Sequence, residues 1–90
     1  MANKRDLKRA LNNSCSVLFT ESVTAYLSVN DEDIVQVDAI LTSIMTTHRE
    51  FLNRVSHPEP GMKPKKYYRI LIDDFNKRVS EIIDNIQALS

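Results

Sequence analysis

The chain has ninety residues, 42% of them apolar, with one glycine, one cysteine and a formal net charge of zero. That size leaves room for one domain, residues 1–90, and the composition excludes a disordered chain, an intramolecular disulfide and a membrane span of about 20 apolar residues. A β-rich fold of this length needs repeated turn signals, whereas the three prolines, Pro58, Pro60 and Pro64, crowd into one stretch.

The expected class is all-α, an antiparallel up-down-up three-helix bundle with helices at roughly 3–28, 31–55 and 64–89. In the first segment, Leu7, Leu11, Leu18 and Ala25 share one face, with Cys15, Phe19 and Tyr26 on its flank. Asn3 suits the N-cap position, and the Asp6 charge suits the first turn. Val17, Val23, Leu27, Val35 and Ile70 fall off the main stripes of the three segments. They fit either a surface for self-pairing or the scattered exposure that any protein shows.

The second segment places Ile34, Val37, Leu41, Ile44, His48, Phe51, Leu52 and Val55 on one face. Asn30 or Asp31 can cap it, and the short connection near Ser28–Asn30 makes the first two helices antiparallel neighbours. The next corner is Ser56-His57-Pro58-Glu59-Pro60-Gly61-Met62-Lys63-Pro64. Its prolines disfavour helix at His57 and Glu59, Gly61 permits a positive φ, and Pro64 suits a helix start. The third segment carries Tyr68, Leu71, Ile72, Phe75, Val79, Ile82, Ile83, Ile86 and Leu89 as a stripe. Helices of about 25 residues are roughly 37 Å long, so the bundle is a thin rod with much surface for its core.

The zero net charge hides an uneven distribution. Residues 1–9 sum to +3, residues 49–69 to +4, and the remainder to −7. An up-down-up topology gathers both positive groups at one pole. The candidate contact residues there are Lys4, Arg5, Lys8, Arg9, Lys63, Lys65, Lys66 and Arg69, with Tyr67 and Tyr68 as stacking faces if the ligand is a nucleic acid.

His48 sits in mid-stripe, level with Ser14 and Cys15 and expected near Ile72. A Cys15–His48 dyad or a metal site would need a cleft or further ligands. The preferred reading is structural: a buried neutral histidine satisfied by Ser14 or a backbone carbonyl, beside an inert cysteine. His57 is expected at the surface of the corner. Asp73 and Asp74 are adjacent and point to different sides of a helix, so they do not form a catalytic pair. No Gly-rich phosphate loop, His-Glu-x-x-His or Cys-x-x-Cys occurs.

The opening Lys4-Arg5-Asp6-Leu7-Lys8 and the corner Ser56–Pro64 together resemble small bacterial all-helical proteins of unknown function. The resemblance spans the chain and implies a helical bundle, and it adds no functional residues. The expected function is a non-enzymatic protein–protein interaction or scaffolding module, with a protein or a second copy as partner. Anion or nucleic-acid binding at the basic pole is the alternative. No cofactor, metal or membrane partner is expected. The lone thiol and the charged start, which no apolar run of signal-peptide length follows, fit a soluble cytoplasmic protein.

Overall fold

The computed structural model describes residues 4–89. Three helices, α1 (Lys4–Ser28), α2 (Ile34–Ser56) and α3 (Pro64–Gln87), pack as an up-down-up bundle with no strand among the described residues. The rod measures 48 × 19 × 16 Å. α2 packs closely against both other helices, and α1 and α3 touch over a smaller area.

Each helix buries residues at steps of three and four, as an amphipathic helix must. α1 buries Leu7, Leu11, Cys15, Leu18 and Ser22; α2 buries Val37, Ile40, Ile44, Thr47, Phe51 and Val55; α3 buries Leu71, Phe75 and Ile82. The α2 stripe differs from the expected one. Leu41, His48 and Leu52 are only half-buried, and Ile40 and Thr47 take the centre. The helix must face two neighbours at once, which turns the buried sector toward Thr47, a polar residue that an apolar stripe leaves out. Thr47 accepts a hydrogen bond from Arg78 Nη1 at 3.4 Å. Ser22, equally hidden, donates to the Leu18 carbonyl at 2.9 Å. Both hydroxyls therefore keep partners after losing water.

Helix ends follow the expectations with small corrections. Asn3 lies outside the described residues. A short 3₁₀ turn, Asp31–Asp33, precedes α2, and the Asn30 side chain makes no cap bond; its carbonyl accepts from the Asp33 N–H at 2.9 Å instead. α3 starts at Pro64 as expected and ends at Gln87, two residues early.

The second corner is held by tyrosines as well as by prolines. Tyr67 Oη donates to the Arg54 carbonyl at 2.9 Å and Tyr68 Oη to the Val55 carbonyl at 3.1 Å. Both acceptors belong to the last turn of α2, whose carbonyls lack helical partners. His57 donates from its backbone N–H and its ring Nδ1 to the Asn53 carbonyl, each at 3.0 Å. Gly61 does not use the positive φ that glycine permits, and a Cβ there would meet nothing within 4 Å.

Two outcomes follow for the corner. Gly61→Ala raises stability by about 0.4–1 kcal/mol, because it restricts the unfolded chain without straining the folded one. Tyr67→Phe lowers stability by about 1 kcal/mol through the lost hydrogen bond. Urea denaturation of each variant against the parent chain measures both.

Candidate functional site

The topology brings the start of α1 and the start of α3 to the same end. Leu7, Pro64, Lys65, Tyr68, Arg69, Ile72 and Asp73 line one open furrow of about 360 Å³ between those helices. Its floor is apolar because Leu7 and Ile72 lie where α1 and α3 meet less closely. Ile72, expected in the core, is 40% exposed here. Lys65 and Arg69, one helical turn apart, form its cationic rim.

The eight candidate cations do not form one patch. Lys65 and Arg69 border the furrow, and Lys63 and Lys66 lie with Glu59, Gly61 and Met62 around a second hollow at the corner. Lys4, Arg5 and Arg9 are exposed on α1, and Lys8 is half-buried. The ion pairs Arg54–Asp74 at 3.0 Å and Arg78–Glu50 at 3.3 Å use none of the eight. Asp74 and Asp73 fall in the basic half of the rod. Asp74 binds Arg54 and Asp73 reaches the furrow, so the charge separation is graded along the rod.

Tyr67 and Tyr68 are spoken for. Their rings meet edge to face at 5.4 Å and their hydroxyls hold α2, which fixes both rings in place, while the half-buried Tyr68 also lines the furrow. Sequence periodicity could not reveal this, because a tyrosine pair at a helix start reads equally well as clamp or as platform.

His48 is half-buried, contrary to the expected core position, and its Nε2 hydrogen-bonds to Asn12 Oδ1. The level along α1 agrees with expectation, but the partner differs. Ser14 lies around the helix, in the α1–α3 hollow with Leu71, Ile72 and Phe75. His48 and Cys15 border a shallow groove between α1 and α2, together with Asn12, Phe19 and Met45. Cys15 is buried, and burial pushes its thiol above the ordinary value of 9.0. An imidazole activating a thiolate would act in the opposite direction. No group of three or more metal-ligating side chains occurs among the described residues. Among them, no helix is long and apolar enough to cross a membrane.

No family model matches the chain, and comparison with curated proteins and with solved structures likewise yields no match.

The Cys15 environment has two measurable consequences. The thiol reacts slowly with a thiol reagent in the native state and rapidly once denaturant unfolds the chain. Its raised folded value also means that the native state keeps a proton that the unfolded chain releases near pH 9. Stability linked to Cys15 is complete below that pH and is lost as pH rises through the folded value. Denaturation midpoints between about pH 8 and about pH 10 therefore fall more steeply for the parent than for Cys15→Ala.

Proposed function

We propose that this chain is a non-enzymatic protein-interaction module of the cytoplasm that engages an acidic, partly apolar partner segment at its basic pole. The observation that carries the reading is the furrow between α1 and α3, where Leu7 and Ile72 offer apolar surface beside Lys65 and Arg69. Interfaces combine this kind of apolar centre with a polar rim. The rim cations would steer an acidic partner and set its orientation, and the apolar floor would supply most of the affinity.

A nucleic-acid reading draws on the same eight cations, and their division between the furrow, the corner hollow and α1 disfavours it. A single-strand binder needs a basic groove that tracks the backbone. Asp73 on the furrow wall opposes any anion, so an acidic segment would have to seat at Lys65 and Arg69, away from it. A chain that reads protein surfaces tolerates such a mixed rim.

The test is a pull-down with the intact chain from its native lysate, compared with a Lys65→Glu/Arg69→Glu double variant. Bound protein elutes as salt rises. The double variant weakens binding by about tenfold or more, on the order of 1.4 kcal/mol. Equal retention by parent and variant contradicts the reading. Retention that nuclease treatment removes replaces it with the nucleic-acid reading.

A further inference from the structure

The furrow at the basic pole is one end of a longer groove. A second hollow adjoins it, sharing Leu7 and Ile72 and adding Ala10, Ser14 and Asn76. A third lies at the far end of the same two helices, lined by Glu21, Thr24 and Ser28 of α1, by Asp33, and by Ile86 of α3. The α1 wall, Ala10, Ser14, Val17, Glu21, Thr24 and Ser28, advances in steps of four and three. So does the α3 wall, Ile72, Asn76, Val79, Ile83 and Ile86. Such steps keep residues on one side of a helix along its length. Val17 stands between the second and third hollows and is 58% exposed.

Charge changes along this groove. Lys65 and Arg69 stand at the pole end, no charged side chain lines the middle hollow, and Glu21 and Asp33 stand at the far end. None of these four joins an ion pair among the described residues. α1 and α3 run in the same direction, so both of their N-termini, the positive ends of the helix dipoles, lie at the cationic end.

We infer that the groove is the seat of one amphipathic helix of a partner protein, which runs antiparallel to α1 and α3 and completes a four-helix bundle. Charge complementarity selects this occupant and its direction. Its basic residues fall in the first turns, over Glu21 and Asp33, and its acidic residues in the last turns, over Lys65 and Arg69. Between them an apolar stripe covers Val17, Ile72 and Ile83. Asp73 on the furrow wall keeps acidic side chains away from its own level. The negative end of the partner's dipole then meets two positive helix starts. α2 already runs antiparallel to both helices, and a fourth helix in its direction gives the alternating order of an up-down-up-down bundle. A second copy seated here by another of its faces would leave its own groove empty and grow into an open chain.

From the level of Lys65 to that of Ile86 the groove is about 32 Å long, room for about 21 helical residues. A helix of that length and about 10–12 Å across has a wall of about 1,000–1,200 Å², half of it turned toward the groove. Counting both partners, about 1,000–1,200 Å² leaves water, the lower end for a specific complex, so the dissociation constant is micromolar. The inference rests on the acidic-partner reading, because the furrow holds the last turns of this helix.

Fluorescence anisotropy of labelled peptides titrated with the intact chain tests it. The first peptide is a 21-residue amphipathic helix, with lysines in its first third, glutamates in its last third and a leucine stripe throughout. The second exchanges its lysines and glutamates, and the third carries two central prolines that break the helix. The first binds in the micromolar range and gains helix on binding, and the second binds at least about tenfold more weakly. Val17→Glu weakens binding of the first by about tenfold or more, whereas Phe19→Glu, on the other side of α1, leaves it unchanged. Circular dichroism checks that both variants fold. Equal binding of the first two peptides overturns the inference, as does a failure of all three to bind. If the proline peptide binds as tightly as the first and Val17→Glu has no effect, the helix falls and an acidic segment held at the furrow alone stands. Self-association of the chain alone that Val17→Glu abolishes replaces the partner helix with a second copy.

Discussion

The packing of Phe51 is the contact on which the rest of the bundle depends. Its ring is 1% exposed and meets the Phe75 ring edge-on at 5.2 Å. The Arg54 and Arg78 guanidinium groups lie 4.9 and 5.8 Å from its centroid, and each then reaches a carboxylate, Asp74 or Glu50. Removing a buried phenylalanine ring typically costs about 3–5 kcal/mol, a large share of the 5–15 kcal/mol that holds a small domain together. Each half-exposed ion pair is worth about 1 kcal/mol at most. The ring supplies the energy, and the two arginines fix its orientation. This cluster sets the register of α3 on α2. The tyrosine clamp at the corner repeats the same register from the end of the helices.

From that register follows the arrangement of charge. Lys4–Arg9 and Lys63–Arg69 are distant in sequence and reach the same end of the rod only because α3 runs back beside α1. Two different faces of α1 then acquire different characters. Leu7 turns toward α3 and floors a furrow with a cationic rim. Phe19, Val23 and Tyr26 turn away from α3 and form an apolar strip. A rod this thin cannot bury all its apolar side chains in one core, so such strips are a consequence of its shape.

Much of the fold was legible in the sequence because its signals are local. Three periodic segments, a short first connection and Pro64 at a helix start are enough to specify an up-down-up bundle. The location of the basic pole followed from topology alone. What escaped were features that depend on which neighbour a residue faces. Ser14 and Ile72 lie on the α1–α3 side, whereas His48 lies on the α1–α2 side, and a stripe drawn on one helix cannot distinguish these. Thr47 and Ser22 are buried because nearby groups satisfy their hydroxyls, a condition that apolar periodicity does not register. The tyrosines bind α2 carbonyls that become neighbours only after the corner has closed. Gly61 carried a conformational freedom that the corner does not use.

The central claim is that the start of α1 and the start of α3 form one pole. It is tested most directly by a distance between spin labels at Arg9→Cys and Lys66→Cys in a Cys15→Ala background. The bundle described here gives a separation set by the 19 Å width of the rod plus the label arms. A separation approaching the 48 Å length of the rod would contradict the topology, and with it the furrow between α1 and α3.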